Sequence, residues 1–278
     1  MANEVTTTIL NDSNFAAWVD SQILDEARPY NVMRPFFRYA GPEKSNAYNF
    51  PVQTKPAISA SYTEGTGLSN AVFADTAPSA TAGVFGQMAT VTDEAQETTV
   101  YDAVAQLTGV IGRSTAEKFE TDATALTAAF SNTSNTAGVP LTWVTMLAAV
   151  NGLEGRDQAG TPVFVLKTSQ VGQVRQDVGA SGAALFGNPA MPVMGIEAAT
   201  LAGYAGFACS GAPVYQSSLV TSTGGGVFLA GIAEGLYEIR APRSETIRVP
   251  SLPGLQIVNT TRYGMIEIRD AAGQTVLI

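Results

Sequence analysis

Residues 59–87 read SASYTEGTGLSNAVFADTAPSATAGVFGQ, and no regular element accounts for them. The stretch has neither a helical period nor sustained strand alternation. Its only charges are Glu64 and Asp75, yet it carries Tyr62, Leu68, Val72, Phe73, Val84 and Phe85. Structureless connections beyond ~12–15 residues are uncommon inside compact domains and mark functional or disordered segments. A segment this long and this apolar is predicted to be an excursion that lies on another surface.

Its flanks look like strands. NAYNFPVQ (46–53) alternates Tyr48, Phe50 and Val52, and VFGQMATVT (84–92) continues the apolar pattern. The simplest geometry makes them two sides of one long hairpin, which is marginal in water without support. Further towards the N-terminus, Asp12 or Ser13 caps a predicted helix with Phe15, Trp18, Val19 and Ile23 on one face, stopped by Pro29. Pro29, Pro35 and Pro42 then keep PYNVMRPFFRYAGPE extended. Residues 1–40 read as an arm, with a core helix as the alternative.

On the other side, TTVYDAVAQLTGVIGRSTAEKFETDATALTAAF places Val100, Val104, Leu107, Ile111, Phe119, Leu126 and Phe130 at three- and four-residue steps, with Thr115 and Ala123 completing the stripe. The spacing predicts a helix from Thr98 to Ser131, ~50 Å long at 1.5 Å per residue. Asp93 or Thr98 is the capping signal, and SNTSNTAG before Pro140 is the stop. Gly109 and Gly112 each weaken it by about 1 kcal/mol relative to alanine, which predicts a bend or a close packing partner there.

From residue 141 the pattern changes. LTWVTMLAAVNGL is predicted as a helix after Thr142, closed by Asn151–Gly152; PVFVLKT is a buried strand; Ser169 caps SQVGQVRQDVGA. GASGAALFGNPAMP reads as a loop. VMGIEA, APVYQSS, GGVFLAGI, LYEIRA, ETIRVP, LQIVNTTR, YGMIEIR and TVLI follow as short, mostly antiparallel strands.

Composition narrows the function. The 278 residues are 45% hydrophobic but only 14% charged, against roughly 25% charged in a typical soluble domain. Less of this surface is expected to face water than in an ordinary monomer. A net charge of -9 and pI near 4.5 oppose a dedicated grip on phosphates, which needs clustered Lys and Arg. The opening MANEVTTTILNDSNF has no signal-peptide pattern, and no window reaches the ~18 apolar residues of a membrane span. Cys209 is the single cysteine and reads as a small buried hydrophobe; histidine is absent, which removes Ser-His-Asp and Cys-His systems.

The remaining chemical signals are weak. Gly224–Gly226 are followed by Val227 and Phe228 rather than the Lys and Ser/Thr of a phosphate loop, so a hairpin turn into a strand is the expectation. GASGAALFG follows a helix where a dinucleotide motif needs a strand. Asp93, Glu94, Glu117, Glu120 and Asp122 are the densest carboxylates, read as the solvated face of the long helix. A Ser169–Lys167 dyad is displaced by the capping role of the serine. No catalytic, metal or cofactor site emerges.

The order of elements resembles the major capsid protein of tailed double-stranded-DNA bacteriophages, an α+β fold first described for a Hong Kong lambdoid phage and shared with encapsulins. PVFVLKTSQVGQVRQDV, GGVFLAGIAEGLYEIRAPRSETIRV and TRYGMIEIRDAAGQTVLI carry the match. The resemblance implies an N-arm (1–40), an extended β-hairpin loop (41–97) and a peripheral domain with its spine helix (98–140), completed by strands from about 235–265. An axial domain (141–234) takes back the closing strands 266–278. It implies a virion subunit forming pentamers and hexamers around double-stranded DNA, assembled in the host cytoplasm. Its partners would be other copies, a separate scaffolding protein, a portal and decoration proteins, with loose DNA contact and no membrane. Phe15, Trp18, Tyr62, Leu68, Val72, Phe73, Val84 and Phe85 become inter-subunit contact candidates. Some family members cross-link through a loop lysine, an asparagine and a glutamate. Lys44 and Lys55 lie in the loop, but with Arg262 matched, the other two positions hold Pro253 and Thr260, so no cross-link is expected. The chain starts at the arm, which calls for a separate scaffold or prior cleavage.

An encapsulin shell around an enzyme cargo shares this fold and stays open. A flagellin-like or surface-layer protein, a different class that is also acidic and poor in Cys and His, is a further alternative, although the β-rich C-terminus lacks the terminal helix a flagellin needs. A carboxylate-based glycosidase is the enzymatic alternative.

Overall fold

The computed structural model describes residues 31–43, 45–53, 75–98, 103–156, 160–180, 203–220, 224–248 and 253–277. The helix predicted around Phe15 and Trp18, the loop residues Tyr62, Leu68, Val72 and Phe73, both loop lysines, residues 181–192 of GASGAALFGNPAMP and VMGIEA lie outside them.

A short 3-10 turn, Arg34–Phe36, leads into β1 (Arg38–Ala40), β2 (Ala47–Asn49), β3 (Val52–Gln53), β4 (Asp75–Thr76), β5 (Ser79–Thr81) and β6 (Gly83–Thr92). Next come α1 (Asp93–Thr98), α2 (Ala103–Thr127), β7 (Thr133–Ser134), α3 (Trp143–Glu154), β8 (Pro162–Lys167) and α4 (Thr168–Ala180). The close is β9 (Tyr204–Cys209), β10 (Ala212–Ser217), β11 (Gly224–Leu229), β12 (Glu234–Arg248), β13 (Gly254–Glu267) and β14 (Gly273–Leu277).

The strands build two main sheets. One has six strands in the order β7-β14-β11-β8-β10-β9 and the other four in the order β1-β12-β13-β6. Within the six-stranded sheet, β8 lies parallel to β10 and β14 parallel to β7, the other pairs being antiparallel. This is the α+β class expected.

Val163–Leu166 and all of β11 are buried, the continuous apolar run of a strand covered on both faces. α3 begins where the sequence put it: Thr142 Oγ1 accepts the Thr145 N–H at 3.3 Å. It runs past Asn151–Gly152 to Glu154, ending at Gly155, whose N–H donates to Asn151 O. Cys209 is fully buried, and that burial pushes its thiol up to about 11.

Several expectations are corrected. Strand 46–53 does not pair with 84–92. Ala47–Asn49 pairs with Ser79–Thr81 and Val52–Gln53 with Asp75–Thr76, while β6 takes β13 along its whole length. Each of these strands finds a partner that shields an apolar side, and Phe50, Val52, Ala80 and Tyr237 share one small core at the hairpin base. The described part of the long helix, α2, ends at Thr127 rather than Ser131, and Asp93–Thr98 is helical as well, its Ala95 N–H donating to Thr92 Oγ1 at 3.2 Å. Phe130 is buried beyond the end of α2. Near Gly112 the expected packing partner is Gln87, whose amide donates to Ile111 O at 2.8 Å.

Gly224–Gly226 form no turn; they are the first half of β11. Gly224 has φ +130°, and a Cβ there would sit 2.0 Å from Val276 O; one on Gly225 would sit 2.1 Å from Val165 O. The run has no side chains because neighbouring backbone fills their space. Ser169 does not cap α4, which starts at Thr168 directly after β8. Gln170 takes that part. Its Oε1 accepts the N–H groups of Lys167 (3.0 Å) and Gly225 (3.2 Å), and its Nε2 donates to Val276 O at 3.0 Å. LYEIRA and ETIRVP merge into β12, LQIVNTTR and YGMIEIR into β13, and β9 is an unforeseen strand. Glu120 is not solvated at all: it is fully buried, because its carboxyl receives backbone N–H groups from residues 32 and 33.

Candidate inter-subunit surface

Helix α2 touches both main sheets, meeting β6 and β13 of one and β11 and β14 of the other. On the four-stranded sheet it covers the face that carries Phe85, Ala89, Val91, Leu255, Ile257 and Tyr263. Strand alternation sends the intervening residues to the opposite face. The registers Met88↔Val258, Val258↔Glu245, Thr90↔Gln256 and Gln256↔Ile247 assemble that outer face across three strands.

The outer face is a mixture of apolar and charged residues, Arg243 pairing with Glu245 at 3.7 Å. Val84 is 64% exposed, Met88 63% and Ile247 50%. Arg240 and Arg243 lie on the same side, and Arg240 donates to Thr260 Oγ1 at 3.0 Å. Arg262 turns to the hairpin base, where it bonds Asn46 Oδ1. Beside the sheet edge, α2 exposes Val110. Single exposed apolar residues are ordinary, but several on one sheet face form a patch suited to association.

Val84 therefore stands on the open face. Phe85 points the other way, stacked on Tyr263 with ring centroids 4.6 Å apart and with the Lys118 ammonium 5.2 Å above its ring. Tyr263 donates to Asp122 Oδ2 at 2.9 Å. Burial, and secondly this bond to a carboxylate, raise the tyrosine above the usual phenol range. Phe85 thus packs within its own chain. It also walls a cleft of about 410 Å³ between α2 and the sheet, where the buried Asn259 has neither amide atom hydrogen-bonded. Met88, Ile247 and Val258 escaped the sequence reading. Only the apolar character of both alternating sets in VFGQMATVT signalled a second face.

The carboxylates of α2 and its neighbourhood are engaged rather than convergent. Arg113 pairs with Glu117 at 2.8 Å, Lys118 with Asp122 at 2.6 Å and Arg248 with Asp93 at 2.8 Å. Among the described residues, no group of three or more Asp, Glu, His or Cys side chains could hold a metal ion. Nor is any described helix long and apolar enough to cross a membrane.

No family model matches the sequence, and no curated protein does. Solved structures do match. The capsid of cyanophage P-SCSP1u aligns with TM-score 0.66 at 12% identity, over 89% of this chain and 88% of that one. The capsid of a native GTA particle aligns with TM-score 0.66 at 13% identity, over 90% of each chain. A virus-like particle from Pyrococcus furiosus aligns with TM-score 0.63 at 8% identity, over 94% of this chain and 99% of that one. With two mixed sheets bridged by a long helix, and a correspondence that runs nearly end to end, the chain has the phage major capsid fold.

Proposed function

We propose that this chain is a structural, non-enzymatic subunit of an icosahedral virus capsid, assembling into pentamers and hexamers that enclose double-stranded DNA. The observation that carries this reading is the near full-length match to capsid chains, 89% against 88% for the cyanophage. The low charged fraction and the uncovered face bearing Val84, Met88 and Ile247 support it. In this reading residues 1–40 are the N-arm, 41–97 the extended loop, 98–140 with strands from about 235–265 the peripheral domain, and 141–234 with 266–278 the axial domain. Val84 is a contact to a neighbouring copy, joined by Phe15, Trp18, Tyr62, Leu68, Val72 and Phe73 from the arm and loop. A scaffolding protein, a portal and decoration proteins complete the assembly in the host cytoplasm.

The chain expressed alone and viewed by negative-stain electron microscopy, beside a sizing column, tests this. Closed shells, tubes or free capsomers are expected. A monomer at every concentration and salt, unchanged when residues 60–82 are deleted, would overturn it. The resemblance to encapsulins supports a second reading, a protein compartment with the same shell. Particles from the native source separate the two: packaged double-stranded DNA supports the capsid, protein cargo the compartment.

A further inference from the structure

Val32 and Met33, near the start of the described chain, both donate their backbone N–H groups to Glu120 Oε2, each at 3.1 Å. Glu120 lies in the middle of α2 and is fully buried, as is Met33. This carboxyl ties residues 32 and 33 to α2.

Its surroundings are short of donors. Glu120 Oε1, both carboxyl oxygens of Glu234 and Asn31 Oδ1 are buried without a hydrogen-bond partner. The groups around it come from several elements. Ser217 of β10 sets its hydroxyl beside Glu120; Glu234 of β12 interacts with Glu120 and with Glu267 of β13; Asp270 in turn faces Glu267. Arg34 lies over the Phe119 ring at 5.5 Å, but its guanidinium is committed to Glu238 at 2.6 Å. On α2 itself, Lys118 is paired with Asp122. Protonating a carboxyl turns an acceptor into a donor, which is what this cluster lacks.

We propose that residues 31–33 are held by a proton-linked clasp: a neutral Glu120 carboxyl seats Val32 and Met33, and its ionisation loosens them. Burial lifts Glu120 from 4.5 to about 7, while the N–H groups of Met33 and Val32 and the Ser217 hydroxyl pull it back less strongly. Glu234 is likewise held well above the usual carboxylate range, by burial first and then by the charges of Glu267 and Glu120. Lifting residues 31–33 returns Glu120 to water, where it binds its proton less tightly. Seating is therefore strongest below about 4.5, weakens as pH rises, and levels off above about 7.

Hydrogen exchange followed by mass spectrometry on the full chain tests the clasp, with each pH corrected for intrinsic rate. Opening at residues 31–33 is expected to rise about fifty-fold between pH 5 and 7.5, while peptides from β8 do not follow. Glu120→Gln keeps an acceptor and cannot ionise, so its opening should be low and flat over the same range. Glu234→Gln should retain the wild-type profile. The clasp is overturned by a flat or inverted wild-type profile, by an unchanged pH dependence in Glu120→Gln, or by its loss in Glu234→Gln. Should Glu120→Gln fail to fold, the wild-type and Glu234→Gln profiles decide by the same criteria.

Discussion

The six-stranded sheet finishes its core within one chain, whereas the four-stranded sheet stops halfway. β8 and β11 are buried nearly end to end, with α2 and α3 against β11 and α4 against β8. β13 instead alternates buried and half-buried residues along most of its length, because only the α2 side is covered. The apolar content of the first region is spent on folding. In the second, Val84, Met88 and Ile247 contribute little to the isolated chain and are available to another surface. The two sheets thus separate what stabilises the folded chain from what is left for another surface.

The largest effect should come from the closed sheet. Phe228, fully buried and 6.3 Å from Phe36 ring to ring, should lose about 3–5 kcal/mol on replacement by alanine. Urea unfolding of the separated subunit reads this as a lower midpoint at constant slope, and a loss below ~1 kcal/mol would deny that this region holds the stability. Gln170→Leu comes next, at roughly 3 kcal/mol, since it strands the Gly225 N–H and the Val276 carbonyl in a dry interior. Gly225→Ala, which leaves the glutamine intact but forces β11 from β8, sharpens the assignment by showing whether sheet spacing alone is equally critical. Smallest should be Met88→Ser with Ile247→Ser, within about 0.5 kcal/mol by the same urea measurement. Those two are expected to reduce assembled material on the sizing column; normal assembly together with a large stability loss would reverse the roles of the two sheets.

Legibility followed burial on both sides. PVFVLKT, APVYQSS and GGVFLAGI were readable because continuous apolar runs of strand length have few alternatives. The cap at Thr142 was readable because a threonine before an apolar run satisfies a local need. Strand partners were not: nothing in VFGQMATVT says that it pairs with residues 254–263 rather than with its sequence neighbour 46–53. Glu120 looked like its solvated neighbours Glu117 and Asp122 because its partners, the N–H groups of Val32 and Met33, are 88 and 87 residues away. The candidate surface was half visible. Val84 and Phe85 were both named as contact candidates, yet only Val84 stands on the open face, while Tyr263 and Lys118 occupy the Phe85 ring.

The sequence by itself determined an α+β chain with one long helix, a β-rich close, few charges and no histidine-based chemistry, since composition and local periodicity depend only on near neighbours. Tertiary structure decided which strands pair, that three glycines lie inside a strand, that Glu120 is buried, and which face of β6 stays open. Those outcomes depend on groups brought together from distant parts of the chain, and no local pattern encodes the space they compete for.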